Sequence, residues 1–258
     1  MKNSEKWMRA AHSGAANVRL NAIDFYPTDS QQTEEKLFRS GALHATNEVP
    51  LAKIDAYKKD ARGVLRIEPY LGTYFYRLNV TKAPFDNILV RKALAMSIDR
   101  TAIVEKVTKG GQLAAEAFTP PGLAGYTAKA RVTSNIDEAR KLLAKAGYPN
   151  GQGFPKTEIL FNTSESHKII AEAVQQMWKK NLNIDIQLAN QDWKVYLDSQ
   201  KSLSYSMARA AWIGDYLDAN TFLDMFVTGG GNNETGWSNA KYDGLIKMAA
   251  ETADPKAR

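Results

Sequence analysis

The chain has no cysteine, only three histidines, and no apolar run approaching the roughly eighteen residues of a membrane-spanning helix. Each absence removes a class of function. Without cysteine there is no disulfide, no thiol nucleophile and no thiolate-ligated metal, a composition compatible with an exported bacterial protein. His12, His44 and His167 stand in three dissimilar contexts, so a histidine-based metal site or general base would need carboxylate help that the spacing does not supply. The opening Met1-Lys-Asn-Ser-Glu-Lys6 lacks the apolar core of a signal peptide, and any export signal is expected to have been removed or replaced. There is no Gly-x-Ser-x-Gly elbow, no His-Glu-x-x-His pair, no phosphate loop and no dinucleotide fingerprint. Gly229-Gly-Gly231 lacks the lysine and the helix-opening context of a phosphate loop and reads as a mobile loop. Glu165 and His167 are two residues apart at a helix start, where they face different ways rather than forming an acid–base couple. The expectation is a non-enzyme with no catalytic residue, no metal and no cofactor.

What is present is enough apolar material for a core. With 258 residues and 44% hydrophobic content, the chain has room for one large or two modest domains. The net charge of +6 invites a nucleic-acid reading. Yet the basic residues are interleaved with acids, as in Lys58-Lys-Asp-Ala-Arg62 and Asp137-Glu-Ala-Arg-Lys141, which is the pattern of solvated helix faces rather than of a clustered docking patch. The five Trp and eleven Tyr form no single-strand-binding motif, so no nucleic-acid partner is expected.

Periodicity assigns most elements. Residues 1–17 read as an imperfect or artificial leader with Ser13-Gly-Ala-Ala16 as a flexible join. Val18, Leu20, Ala22, Ile23 and Phe25 suggest a strand, and Gln31 to Arg39 a helix ended by Ser40-Gly41. Tyr70 to Asn79 reads as a buried strand, followed by a turn at Lys82-Ala-Pro84 and a helix from near Asn87. Asp99 is placed to cap a second helix through Val107 that stops at Gly110-Gly111. Asn135 with Glu138 caps the helix Ile136 to Ala146. Thr157 to Phe161, His167 to Asn181 and the alternating Ile184, Ile186 and Leu188 make a βαβ unit, whose strands should run parallel with a right-handed crossover. A helix from Asp192 to Gln200, a strand from Tyr205 to Trp212, and helices at Ala219 to Phe226 and Ala240 to Glu251 complete an α/β chain without internal repeats.

The segment Met207 to Leu223 carries the most chemistry. A largely apolar strand runs straight into Trp212, Gly214, Asp215 and Tyr216, which is how a strand delivers polar groups to a pocket mouth. Gly214 permits close backbone approach, and Asp215 would offer a fixed negative charge to a ligand ammonium. Turn chemistry supports a second reading of Asp215, as a turn former or helix N-cap.

Several segments, in order, resemble one known family. They are Tyr26-Pro-Thr-Asp-Ser-Gln-Gln-Thr-Glu34, Gly72-Thr-Tyr-Phe-Tyr-Arg-Leu-Asn79, Ala83-Pro-Phe-Asp-Asn-Ile-Leu-Val-Arg-Lys-Ala-Leu94 with Ser97-Ile-Asp-Arg100, Glu138 to Tyr148, Phe161-Asn-Thr-Ser-Glu-Ser-His167, Asn190-Gln-Asp-Trp193 and Tyr242-Asp-Gly-Leu-Ile246. Together they are similar to the peptide/nickel class of extracytoplasmic solute-binding proteins of ABC transporters, nearest to oligopeptide- and murein-peptide-binding members.

That resemblance implies one main lobe of a periplasmic-binding-protein type II-like fold, residues 70–258, plus part of a second lobe in 18–69 near the junction. It implies a monomeric periplasmic receptor that takes a peptide ligand and hands it to a membrane permease, with another amine-bearing solute such as a murein peptide or dipeptide as the alternative. By the same carry-over Asp215 pairs with the ligand amine, and Ala211 to Ile213 bond to its main chain. Arg209 and His167 stand near its carboxyl end, and Trp212 walls a pocket. Arg209 also reads as a structural ion-pair partner, His167 as a helix cap and Trp212 as core. Thr108 and Gln200 stand where some relatives place a Lys and an Arg, with Lys109 and Lys201 as neighbours that could compensate. Members of the family are longer and close two lobes on the ligand, so this chain is expected to be a fragment or truncated product that lacks the C-terminal return segment and binds weakly alone.

Overall fold

The structure is a computed structural model that describes residues 20–258. The leader-like segment 1–17 lies outside these residues. The chain divides into two compact units, one up to Thr46 and one from Asn47 onward. In the first, helix α1 (Gln31–Arg39) has its expected bounds: it begins where Ser30 accepts a hydrogen bond from the Thr33 N–H and ends at Ser40. The strand expected over 18–25 is not found among the described residues. Only Ala22 makes a bridge there, and Leu20 and Phe25 are 62% and 79% exposed. With so little apolar area buried, the extended segment has neither a full ladder nor a core face to hold it.

The second unit opens with a short helix α2 (Ile54–Lys58) and is organised around one four-stranded sheet. Its strands are β1 (Gly72–Leu78), β2 (Thr157–Asn162), β3 (Ile186–Gln191) and β4 (Met207–Ile213), in the order β1-β4-β2-β3. β2 pairs in parallel with both β3 and β4, while β1 runs antiparallel to β4. The expected parallel βαβ unit is therefore present. β1 is an edge strand and only half-buried, where the sequence suggested a buried one starting at Tyr70.

Helices cover both faces of the sheet. On one face α5 (Glu165–Leu182) lays Ala171, Val174, Trp178 and Leu182 over Ile159, Phe161, Ile186 and Met207, with α3 (Ile88–Met96) and α4 (Ile136–Lys145) completing the core. Those α5 residues recur at three- and four-residue steps, the period that puts them on one helix face. Trp178 is 2% exposed, and its indole N–H donates to Leu94 O at 3.0 Å, so burial leaves no orphan donor. On the other face α6 (Trp193–Lys201) presses Tyr196 against Leu160, Ala208 and Tyr205. A final helix α7 (Ala240–Glu251) matches its expected bounds and starts at the Asn239 cap.

Two expected helices differ in detail. The one capped by Asp99 is α-helical only over Arg100–Ala102, then widens to a π-helix over Ile103–Thr108 and stops at Lys109, not at the glycines. Lys109 adopts φ 53° there, a left-handed conformation costly for a side-chain-bearing residue, and is held by its ion pair to Asp55 and by the Lys58 ammonium on its carbonyl. The helix expected over 219–226 is a single α turn, Asn220–Leu223, that tightens into a 3₁₀ turn over Asp224–Phe226.

Candidate functional site

The geometry of β4 singles out its second half. Flanking the β1–β4 ladder, the Gly214 N–H donates to Leu71 O at 2.9 Å and the Asn79 N–H to Ser206 O at 3.0 Å. Antiparallel bonding alternates, so with this register the main-chain groups of Ala208, Ala210 and Trp212 face β1 while those of Arg209, Ala211 and Ile213 face the β2 side. On that side β2 pairs only with Met207 and Ala208. Beyond it β4 is an open edge. The N–H and C=O of Ala211 and Ile213 have no hydrogen-bond partner there among the described residues, and both residues are exposed. Unpaired strand groups of this kind are a template for an added strand.

The loop after this edge carries Asp215. Gly214 leaves little room for a side chain, since a Cβ there would sit 2.7 Å from Leu71 Cδ2 and 3.2 Å from Phe222 Cε2. The Asp215 N–H donates to Thr221 Oγ1 at 3.0 Å, but its exposed carboxylate accepts no hydrogen bond and forms no ion pair among the described residues. Asp218 takes the turn role instead, accepting from the Asn220 N–H at 2.8 Å and pairing with both guanidinium arms of Arg258. Asp215 is neither an N-cap nor a turn anchor in this structure. Burial, and then the charge of Asp215, raise the Asp224 carboxyl above the usual range.

At the other end of the open edge stand Arg209 and His167. The Arg209 guanidinium lies 4.9 Å from the Tyr74 ring centroid and donates to Asn162 Oδ1 at 3.3 Å. It makes no ion pair among the described residues, and its Nε is buried without a partner, so the structural ion-pair reading has no support. His167 is buried in the first turn of α5 with Nδ1 3.5 Å from Tyr74 Oη. Burial and the neighbouring Arg209 charge lower its pKa to about 4, so it is neutral at neutral pH. The cap of that helix is Ser164, which accepts from the His167 N–H, so His167 is not the capping residue. Trp212 is half-buried, and its indole N–H also lacks a partner.

The structure thus brings Arg209, Ala211, Trp212, Ile213 and Asp215 along one strand and its following loop, with His167 beside Arg209 through Tyr74. Gln200 and Thr108 are buried and engaged elsewhere. Gln200 accepts from Arg77 at 2.7 Å, and Thr108 donates to Gln112 Oε1 at 2.8 Å. Lys109 is committed to Asp55 at 2.5 Å, while Lys201 is exposed. Tyr196 carries no sequence signal as a site residue, since it occupies an apolar position of α6. Its hydroxyl donates to the Arg209 carbonyl. A surface depression lined by Ser97, Asp99, Ser134, Arg140, Lys180 and Asn181 shares no residue with this edge, and its Arg140 and Asn181 are already bonded to Asn181 O and Ser97 O.

Comparison with known proteins identifies the family. Over its whole length the chain is 35% identical to the oligopeptide-binding protein OppA of Bacillus subtilis, covering 48% of that protein. It is 36% identical to the periplasmic murein peptide-binding protein MppA of Escherichia coli, across 94% of this chain and 46% of the other. The solved structure of the E. coli murein tripeptide-binding protein superposes with a TM-score of 0.84 at 36% identity, covering 90% of this chain and 47% of that one. Haemophilus influenzae OppA in complex with RPPGFSPFR superposes with a TM-score of 0.79 at 37% identity, covering 87% and 45%. The chain spans about half the length of the curated relatives it matches. A family model matches residues 2–234, and the chain belongs to the bacterial extracellular solute-binding proteins, family 5 Middle.

Proposed function

We propose that residues 70–258 form the ligand-contacting lobe of a peptide receptor that works outside the cytoplasmic membrane, in the periplasm, and delivers its ligand to an ABC permease. Residues 18–69 are assigned to the junction with a second lobe. The carrying observation is the open β4 edge, where the main-chain groups of Ala211 and Ile213 stand unpartnered beside the unbonded carboxylate of Asp215. Pairing with such an edge reads atoms that every peptide has and is therefore tolerant of ligand sequence. Asp215 supplies a charge for the α-amine, Trp212 a wall, and Arg209 with the neutral His167 a pocket for the ligand carboxylate.

A second reading, a receptor for a murein peptide or a dipeptide, has support in the 36% identity to the E. coli murein peptide-binding protein and the 37% identity to the dipeptide-binding protein DppE of Bacillus subtilis. Titration calorimetry of this chain with free-amine peptides of two to five alanines, a murein tripeptide with a free amine and the matching N-acetylated peptides separates the readings. Free-amine alanine peptides should bind and their acetylated forms much less. Equal binding of acetylated and free-amine peptides would remove the amine site from the proposal, and preference for the muropeptide would favour the second reading.

A further inference from the structure

We infer that the Tyr196 and Thr221 hydroxyls frame a two-residue reading window on β4, and that Tyr196 limits how far a ligand main chain pairs along it. The inference rests on the proposed peptide reading and narrows its ligand to free-amine peptides with a three-residue main-chain core. Beyond Met207, which is paired with β2, four residues of β4 and its loop direct main-chain groups away from β1, namely Arg209, Ala211, Ile213 and Asp215. Each of the outer two has one main-chain group taken by a side chain. The Tyr196 O–H donates to the Arg209 carbonyl, and the Asp215 N–H donates to Thr221 Oγ1 at 3.0 Å. Only Ala211 and Ile213, about 7 Å apart along the strand, keep both main-chain groups for a ligand.

Tyr196 is held firmly in this role. It is 1% exposed, packs with Leu160, Ala208 and Tyr205, and stacks on Trp193 at 5.8 Å between ring centroids. Burial raises its pKa, so the phenol keeps its proton at neutral pH. In an antiparallel pair every second residue exchanges both bonds with its partner. Two open residues therefore match three ligand residues, with the outer two bonded to Ile213 and Ala211 and the middle one turned away. Asp215 follows Ile213, so the ligand amine lies at the Ile213 end and the ligand runs toward Arg209. There its next bonding amide meets a carbonyl that already accepts from the Tyr196 hydroxyl and must share it. Further residues gain a weaker main-chain bond there and leave the edge toward the Arg209 side chain.

The test is calorimetry of the wild-type chain and Tyr196→Phe with free-ended alanine peptides of two to six residues. In wild type, affinity should rise to a plateau. In Tyr196→Phe the bared Arg209 carbonyl should accept the next alternate amide, so that the peptide two residues beyond that plateau gains about threefold to tenfold over the plateau length. Length profiles of the same shape in both proteins would overturn the window while leaving peptide binding intact. Absence of binding by the wild-type chain would overturn both. An N-methyl scan of the ligand on the wild-type chain decides the matter even where the variant does not fold. A sensitive amide at the third residue of the core, with none two residues beyond it, supports the window, and an equally sensitive amide two residues further on overturns it.

Discussion

Replacing Asp215 with Asn removes one charge and little else, which makes it the sharpest probe of the proposed amine site. The carboxylate holds no hydrogen bond among the described residues and is exposed, so its loss frees no backbone donor and opens no cavity. Two unit charges 4 Å apart interact by about 1 kcal/mol in bulk water and about 4 kcal/mol at an effective dielectric near 20. An exposed partner on an open edge belongs near the lower figure, and we expect a loss of about 1–2 kcal/mol for a free-amine peptide, or roughly 5- to 30-fold in Kd. The assay is a thermodynamic cycle in which free-amine and N-acetylated forms of one peptide are titrated into wild type and Asp215→Asn. Acetylation should hurt wild type and barely affect the mutant, with the difference shrinking at high salt. Thermal stability should change by no more than about 0.5 kcal/mol, because no cap or ion pair is lost. If both proteins respond to acetylation alike while the mutant melts earlier, Asp215 is a structural turn residue and the amine site is wrong.

Three further outcomes follow from the same geometry. His167 titrates near 4 when folded and near 6.5 when unfolded, so its contribution is complete above pH 6.5 and is lost as pH falls toward 4, by at most about 3 kcal/mol; urea melts across that range should show a shallower pH slope in His167→Phe, and equal slopes would refute the assignment. Arg77 is 8% exposed and contacts the carboxylate of Glu234 and the amide of Gln200, so Glu234→Ala, which leaves a buried unpaired guanidinium, should cost about 3–5 kcal/mol in chemical denaturation. Gly214→Ala forces a Cβ against Leu71 and Phe222, and should destabilise by about 1–3 kcal/mol while weakening peptide binding through the displaced Asp215 loop; an unchanged melting temperature and Kd would show that the loop yields without consequence.

The sequence alone determined the elements whose local signals agree. Asp99 and Asn135 each cap the helix they were expected to cap, and Ser30, Asn87, Asp192 and Asn239 cap theirs in the same way, because a short polar side chain bonds a backbone N–H two or three residues on and needs nothing from the rest of the fold. The alternation around β3 and the three- and four-residue spacing in α5 likewise identify a parallel βαβ unit, since both periods are local. Where long-range partners decide, the same signals fail: the apolar residues of 20–25 form no strand because no ladder completes it there, and the helix after Asp99 widens to a π-helix that Lys109 ends through contacts with Asp55 and Lys58.

The candidate site divides in the same way. Asp215, Trp212 and Gly214 were legible as a strand running into a polar turn, and family resemblance added Arg209 and His167. Only the tertiary structure decided which main-chain groups are free, because that depends on how β1 registers against β4 and on the pairing of β2 with β4 ending at Ala208. Tyr196 is the clearest case. Its position in α6 marks it as an apolar core residue, and the hydroxyl acquires a role only because packing against Leu160 and Ala208 brings it to the Arg209 carbonyl, thirteen residues away in sequence and on a different element.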